Sequence, residues 1–480
     1  MAIERSLVGL QVVEGEKWGC LGVRMVAFEF TANSQEVIPM RRKAYRSVAV
    51  KDVNVAEVAS WLGAGGAWVG VDVSKQALLA VVRNVQGDWQ RPWKVQQPAE
   101  IPQFVEMLKP LAAGRRLVVA VESTGTYGDA LRQALSDAGI EVHRVRSTAS
   151  SDYAEIFDGV PSQHDGKDAA VLAELAAAGK SQPWPCQPRS SEEGTLHGEV
   201  VWMDTQQDIL QLWLGRMEAL LGRHWPEATG VLPLTSGTLR RVLEEYGGPG
   251  ALAQDPQAAE KLAPWGKRFL KPEKIERLLA AARTTAGVRM SAADQELMRR
   301  IAHEAREAQT KIDRSKKILE QATQKNETLQ RMAQAVGRVT ACVLWTTLGD
   351  PREYSCPAAY RKGLGLNLRE RSSGKHQGHL KITKRGPSLA RRWLYFSALR
   401  AIQRGAVRNW YERKKERDQG RGGKGVVAVM RKLALAVYAV AARNEQFDPG
   451  RLFPGRPRPA TSQRTRAVLE AMESEAMELI

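Results

Sequence analysis

AWVGVDV, from Ala67 to Val73, is a short apolar run rich in β-branched residues, and it places Asp72 next to its carboxyl end. The stretch SKQALLAVVRNV that follows predicts a returning strand, so the two runs form a hairpin. A second buried-strand pattern, RRLVVAVES, runs from Arg115 to Ser123 and brings Glu122 to its own carboxyl end. In an open α/β sheet the ligand crevice lies beyond the carboxyl ends of the strands. We therefore expect Asp72 and Glu122 to face the same crevice.

The segments around these two runs alternate between strand and helix patterns, which predicts an α/β sheet. QRPWKVQQ and EVHRVRS predict further strands, PAEIPQFVEMLKPLAAG predicts a helix, and a Gly-Thr-Tyr-Gly turn starts another. HDGKDAAVLAELAAAG, from His164 to Gly179, predicts a helix with Asp165 and Asp168 near its start. Their i, i+3 spacing puts both carboxylates on one face of that helix.

Four carboxylates held together repel one another, and hard divalent cations with oxygen ligands relieve that repulsion. This chemistry suits Mg²⁺, or Mn²⁺, better than Zn²⁺. Two such ions would clamp an in-line phosphoryl displacement. Taken singly, each residue has a plainer interpretation as a turn cap, a solvated strand end or a partner of the helix dipole. Four matches in order favour a metal site formed by Asp72, Glu122, Asp165 and Asp168.

The charge of the chain indicates a polyanionic partner. The 480 residues carry a net charge of +18 and have a pI of about 9.8. The segment from Arg361 to Lys432 holds 21 Lys or Arg against 4 Asp or Glu, which is nearly all of the excess. So concentrated a charge predicts a phosphate-binding surface whose affinity weakens with salt.

Other features favour a reduced, cytoplasmic protein without a membrane span. The four cysteines are too scattered for a CxxC metal site, and no signal peptide opens the chain. The most apolar run, GVVAVMRKLALAVYAVAA, is split by Arg431 and Lys432, so we expect a buried helix.

The length predicts more than one domain. We expect an amino-terminal extension over 1–66, which is either a β-rich unit or an arm, a sheet domain over 67–183 and a linker over 184–196. A helical region over 197–335, a carboxyl-terminal domain over 336–450 and a tail over 451–480 follow. Ser291 and Asp294 predict the cap of a helix that runs to about Ala335. An apolar seam on it predicts either a coiled-coil dimer or a helical hairpin within one domain; its members are Leu297, Ile301, Ala305, Ala308, Ile312, Leu319, Ala322, Leu329 and Val336, with Ser315 and Asn326 in polar slots.

A second candidate for chemistry lies in the basic segment. Ser372 and Ser373 precede Gly374 in a loop, and nearby cations could stabilise a serine alkoxide and the phosphate that it attacks. An ordinary polar turn is the alternative, and the residues alone leave both open. The candidate nucleic-acid ligands are Arg369, Arg371, Lys375, Lys381, Lys384 and Arg385, with Arg391 and Arg392 on a helix opened by Pro387.

The motif order GVDVSK, VESTGTYG, DGKDA, GRVTA, LGDP, YRKGLGL, SSGK and ITKRG resembles the DEDD transposases of the insertion sequence 110 family, recombinases guided by a bridge RNA. The resemblance spans roughly residues 67–183 and 325–445. It implies an RNase H-like (RuvC-like) domain whose DEDD set is Asp72, Glu122, Asp165 and Asp168. It also implies a mainly helical transposase domain whose nucleophile corresponds to Ser373, with Ser372 as the neighbouring candidate. QHDGKDA departs from the family pattern KTDRxDA, and QAVGRVTA lacks its proline-glycine turn.

The resemblance further implies an RNA-guided recombinase that forms a covalent 5′-phosphoserine link to DNA. Its partners would be donor and target DNA, a noncoding guide RNA and further copies of itself, as a dimer or tetramer with composite active sites. In a prokaryote it would be associated with the nucleoid. Alternatives are a metal-dependent nuclease or junction resolvase and a non-catalytic nucleic-acid-binding protein. An actin-like sugar kinase is disfavoured because DVSKQA lacks a glycine-rich phosphate loop.

Overall fold

The computed structural model describes residues 11–13, 22–24, 46–122, 125–157, 164–186, 189–266, 270–370, 372, 378 and 380–455. The chain divides into two compact units, Met1–Pro188 and Arg189–Ile480. The division falls inside the predicted linker.

A mixed sheet of seven strands forms the first unit. Strands β1 (Gln11–Val13) and β2 (Gly22–Arg24) pair with each other in a separate ribbon. The seven strands of the sheet are β3 (Val48–Ala49), β4 (Ala67–Val73), β5 (Ala77–Arg83), β6 (Trp93–Gln96), β7 (Leu117–Glu122), β8 (Glu141–Val145) and β9 (Gln182–Pro183). Their order is β3-β6-β5-β4-β7-β8-β9. The strands β4, β5 and β6 form an antiparallel meander, and β7 and β8 continue parallel to β4 on its other side. This arrangement is the RNase H-like sheet predicted from the sequence.

Helices cover both faces of the sheet. They are α1 (Val55–Leu62), α2 (Ile101–Ala112), α3 (Asp129–Asp137), α4 (Ser147–Phe157) and α5 (Asp165–Ala177). Phe104 and Leu108 of α2 and Leu131 of α3 pack with Val69 and Val71 of β4 in one core. On the other face, α5 lies across β4 and β5. The alternation of side chains along β4 thus directs odd-numbered residues to α2 and α3, and even-numbered ones to α5.

Structured elements extend past two of the predicted domain boundaries. Before residue 67, β3 pairs with β6, and the apolar face of α1 is buried in the same core as α2. The predicted linker over 184–196 is also partly structured: the Trp184 ring stacks on the Arg132 guanidinium at 3.5 Å, and the next helix begins at Ser191 behind a Ser190–Glu193 capping box. The capping box determines where this helix begins, and the polar composition that suggested a linker is the composition of the cap itself.

The second unit is mainly helical. Its elements are α6 (Ser191–His224), α7 (Ala228–Val231), α8 (Gly237–Tyr246), α9 (Pro249–Gln254), α10 (Ala258–Gly266), α11 (Pro272–Arg283), α12 (Ala292–Lys325), α13 (Glu327–Val336), α14 (Arg338–Leu348), α15 (Pro357–Gly363), β10 (Leu368–Arg369), β11 (Lys381–Ile382), α16 (Ser388–Ala401), α17 (Gly405–Arg417), α18 (Gly422–Ala442) and α19 (Pro449–Leu452). One hydrophobic core runs from Leu196 to Phe453. The predicted divisions near 336 and 451 therefore do not separate independent cores.

The apolar seam of α12 packs within its own unit against α6 and α8, which is the helical-hairpin alternative. The Ser291–Asp294 capping box is present as predicted. Two seam positions were wrong: Leu297 is 48% exposed, with Met298 buried in its place. Asn326 ends α12 and caps α13 by accepting from the Leu329 amide, so it is not a buried seam residue. Ser315 is buried and donates to Glu199 Oε2 at 2.8 Å.

Among the described residues, one helix, α18, is long and apolar enough to cross a membrane by length and composition. Its apolar residues, including Val429, Leu433 and Val437, are buried against neighbouring helices of the unit. This burial agrees with the expected core helix.

Candidate active site

Asp72 and Glu122 stand side by side at one edge of the sheet. The parallel pairing of β4 with β7 matches Val71 with Val121, and each carboxylate is the next residue along its strand. Both lie on the α5 face, because Gly70 and Ala120, two residues earlier, pack on that side. The prediction that the two strand ends meet is confirmed by this register.

Gly70 allows α5 to approach this edge. A Cβ atom at position 70 would overlap the carbonyl oxygen of Ala169 and the amide nitrogen of Ala173. Only a glycine leaves room for the helix backbone to lie on the strand there. The close approach places Asp165 and Asp168, in the first turn of α5, beside the strand-end carboxylates. In the sequence, nothing distinguishes this glycine from any other small residue of a buried strand, so its packing role follows only from the structure.

The four carboxylates interact electrostatically. Burial and then the charges of Asp165, Asp168 and Glu122 raise the pKa of Asp72 to about 6. Burial, followed by Asp165 and Glu122, also raises the pKa of Asp168, while Lys167 and His164 oppose that rise. Each shift means that bringing these groups together disfavours their charged forms. The charges of all three partners act on Asp72, so the four carboxylates lie within electrostatic reach of one another.

Ser150 is a member of the site that sequence reasoning missed. Its one hydroxyl proton is shared between two acceptors, Glu122 Oε2 at 2.9 Å and the carbonyl oxygen of Ser147 at 3.0 Å. Ser150 is buried on α4, a helix with a weak apolar pattern that gave no clear signal in the sequence. The hydrogen bond fixes the orientation of the Glu122 carboxylate.

The chemistry of the donors fits a hard divalent cation. Every ligand candidate is a carboxylate oxygen, and the pKa of Asp72 is raised first by burial and then by neighbouring negative charge, which a cation would neutralise. In the part of the chain that the structure describes, no three Asp, Glu, His or Cys side chains are close enough together to hold a metal ion as they stand. The carboxylates influence one another's pKa values but lie too far apart to share a cation as they stand, so a bound cation would have to draw them closer.

Part of the predicted serine segment lies outside the described residues, namely Arg371, Ser373 and Lys375. Ser372 is described and exposed. Its hydroxyl donates to Glu370 Oε1 at 2.6 Å and accepts from the Gly378 amide at 3.1 Å. These two bonds give Ser372 a structural role in the loop.

Four of the predicted cationic ligands are exposed at the base of the hairpin formed by β10 and β11. The base is held by backbone packing, because a Cβ at Gly365 would overlap the Lys384 and Arg385 backbone and one at Gly386 would overlap the Gly363 carbonyl. The motifs YRKGLGL and ITKRG are therefore in contact. The four exposed cations are Arg369, Lys381, Lys384 and Arg385.

The remaining two predicted ligands are engaged within the second unit. Arg391 Nη1 donates to the carbonyls of Leu364 (3.3 Å) and Gly386 (2.5 Å). Arg392 forms ion pairs with Asp204 and, at 3.7 Å, with Asp208. These contacts favour a structural role over a phosphate-binding one.

Comparisons with known proteins match two parts of the chain. Residues 69–196 match the model of a transposase family, the DEDD transposases of IS110, and residues 327–413 match the transposase IS116/IS110/IS902 family. Two solved structures, Thermus thermophilus RuvC and T. thermophilus RuvC in complex with Holliday junction substrate, are each similar at 18% identity with a TM-score of 0.20. Each comparison covers 25% of this chain and 99% of the other. No curated protein matches.

Proposed function

We propose that this chain, a DEDD transposase of the IS110 family, cuts and rejoins DNA through a covalent 5′-phosphoserine intermediate under the guidance of a noncoding RNA. The observation that carries the proposal is the cluster of Asp72, Glu122, Asp165 and Asp168 at the carboxyl edge of the sheet. Two strands and one helix supply this acidic set, and the pKa of Asp72 responds to all the other members. Such clusters serve phosphoryl transfer.

In this proposal the acidic set holds Mg²⁺, or Mn²⁺, through carboxylate oxygens. The bound cation would act as a Lewis acid on the scissile phosphate and neutralise charge that develops in the reaction. Asp72 and Glu122 provide a fixed pair from adjacent strands, and Ser150 orients Glu122 by its hydrogen bond. Asp165 and Asp168 complete the set from α5, whose position depends on Gly70.

Ser373 is proposed as the nucleophile. Its Oγ forms a bond to phosphorus as the bond from phosphorus to the 3′ oxygen breaks, so that the serine proton ends on a free 3′-hydroxyl. A 3′-hydroxyl then attacks the phosphoserine, releasing the serine and joining the strands. This order conserves the number of phosphodiester bonds and needs no other energy source.

The basic segment supplies the nucleic-acid surface. Arg369, Lys381, Lys384 and Arg385 are exposed at one hairpin base, where they can neutralise backbone phosphates. The guide RNA rather than the protein would then read the target sequence by base pairing. We propose a dimer or tetramer, in which the serine of one subunit serves the acidic set of another.

The test is a search for the covalent intermediate. The full chain, purified with its RNA, is incubated with labelled donor and target DNA and Mg²⁺, and protein–DNA adducts are separated under denaturing conditions. We expect an adduct that is lost in Ser373→Ala and retained in Ser372→Ala, the matched neighbour. Cleavage that survives Ser373→Ala would instead identify a metal-dependent nuclease. Binding without any cleavage in Mg²⁺ would identify a non-catalytic nucleic-acid-binding protein.

A further inference from the structure

We infer that Lys75 and Arg146 hold the DNA phosphates on either side of the one presented to the acidic set, and thereby define the path of the strand across the sheet edge. The inference rests on the proposed function, since it concerns the same DNA. It adds two phosphate-binding residues in the first unit, whereas the predicted basic surface lies in the second.

The sheet topology puts the two cations on opposite sides of the carboxylates. The sheet order is β5-β4-β7-β8, and β4, β7 and β8 are parallel, so their carboxyl ends share one edge. Lys75 lies in the turn that joins β4 to β5 at this edge, and Arg146 directly follows β8. The order along the edge is therefore Lys75, Asp72, Glu122 and Arg146.

The spacing matches a nucleic-acid strand. Neighbouring strands lie about 4.8 Å apart, so β4 and β8 are separated by roughly 10 Å. The phosphates that flank a central one are two nucleotide steps apart, which is about 7 Å along a duplex axis at about 3.4 Å per step and more along the backbone itself, so cations about 10 Å apart can reach both. The two cations thus reach different phosphates, with the acidic set facing the interval between them.

The backbone is fixed at both positions. In the Lys75 turn, Ser74 Oγ donates to the Ala77 carbonyl at 2.8 Å, and Gln97 Nε2 donates to the Ser74 carbonyl at 2.9 Å. The Arg146 carbonyl accepts from the amides of Ala149 (2.8 Å) and Ser150 (3.1 Å). Because Ser150 also donates to Glu122, one helical turn positions both Arg146 and a member of the acidic set.

The negative charge of the acidic set opposes the approach of DNA to this edge of the sheet. Four carboxylates repel a phosphodiester strand, and cations that flank them would offset that repulsion. The side chains of Lys75 and Arg146 are exposed, and neither is paired with another side chain in the part of the chain that the structure describes. Several other arginines of this unit are already paired: Arg83 with Glu174, Arg116 with Glu141 and Arg132 with Asp129.

The experiment replaces phosphates one at a time. Synthetic DNA strands spanning the cleaved position, each carrying a single uncharged methylphosphonate, are cut by the full chain with its RNA in Mg²⁺. For the wild type we expect a roughly fivefold loss of cleavage at one position on each side of the scissile phosphate. In Lys75→Ala, the methylphosphonate on one side should no longer reduce cleavage, because the contact is already lost. In Arg146→Ala, the same should hold for the methylphosphonate on the other side. Each pair of changes forms a double-mutant cycle.

Arg144→Ala is the matched control, because Arg144 is exposed two residues earlier on the same strand, before its end. It should leave the methylphosphonate profile of the wild type unchanged. A wild-type profile in both Lys75→Ala and Arg146→Ala, with cleavage intact, would overturn the inference and leave the proposed function standing. A wild-type chain that cuts no DNA would overturn the proposed function and this inference with it.

Discussion

Asp72 is the residue at which burial and charge act together most strongly. Its pKa of about 6 lies above the ordinary value of 3.8, so the folded state holds this proton more tightly than the unfolded chain. Stability therefore falls as the pH rises from about 4 to about 6, and the loss persists above that range. A cation bound at neutral pH would offset this loss of stability. The stability of the metal-loaded protein should therefore exceed that of the metal-free protein most clearly above pH 6.

Asp72→Asn should separate stability from activity. The amide removes the desolvated and repelled charge with little change in shape, so the metal-free protein should be more stable at pH 7.5, by roughly 1–2 kcal/mol after solvent screening is allowed for, and should melt at a higher temperature. Strand cleavage should be lost. Thermal unfolding in EDTA at pH 5 and pH 7.5 provides the measurement.

The control for this change is Asp152→Asn, which removes an exposed carboxylate of α4. It should shift neither the melting temperature nor cleavage. An Asp72→Asn protein that is less stable than the wild type at pH 7.5 would contradict the electrostatic account.

Sequence reasoning located the carboxylates because strand ends are readable. Asp72 and Glu122 end apolar runs, and parallel strands bring such ends together. Ser150 was not predictable in the same way, because its role depends on a hydrogen bond between α4 and β7 that is distant in sequence. Asn326 shows a related limit. Its spacing fits both a helix cap and a position in the apolar seam, and only the break between α12 and α13 shows that it is a cap.

At the scale of elements, the packing of α5 on β4 determines whether the acidic set assembles. Their contact has no space for a side chain at Gly70. Any group there must push the helix outward and move both aspartates of its first turn. The strand and the helix were each predicted, whereas the closeness of their approach follows only from the structure.

Gly70→Ala should therefore destabilise the first unit by about 3 kcal/mol, a cost typical of overpacking. Cleavage should fall further than stability alone accounts for, because Asp165 and Asp168 are displaced from Asp72. Denaturant unfolding, together with cleavage assayed well below the melting temperature, distinguishes the two effects.

Gly66→Ala serves as the comparison, since a Cβ there meets its nearest neighbour at an ordinary 3.5 Å. It should cost less than 1 kcal/mol, roughly the scale of an ordinary surface change. Equal losses from the two glycine substitutions would argue against a specific role for the β4–α5 contact.

At the scale of the whole molecule, only part of the excess positive charge is free to bind phosphate. Composition predicted the basic segment from Arg361 to Lys432 and could not distinguish free cations from engaged ones. Lys384 and Arg385 are exposed, whereas Arg391 binds backbone carbonyls and Arg392 pairs with carboxylates of α6. The contacts decide which charges can reach a phosphate.

Salt dependence tests this distinction. Replacing both Lys384 and Arg385 with Ala should make the slope of log affinity against log salt for a DNA duplex less steep. The expected reduction in its magnitude is about 2, or about 0.9 for each lost phosphate contact. Arg392→Ala should leave the slope unchanged and instead cost about 1 kcal/mol of stability. Titrations between low and moderate salt in metal-free buffer provide the slopes, and a slope lowered equally by Arg392→Ala would place that residue on the nucleic-acid surface.

The contact between Gly365 and Gly386 has a consequence for how such a chain can evolve. Because backbone atoms meet on both sides, no side chain on one segment can compensate for a substitution on the other. A mutation at either glycine would open the base of the hairpin that carries the serine loop. Both positions are therefore restricted to glycine in any descendant of this chain that keeps the hairpin.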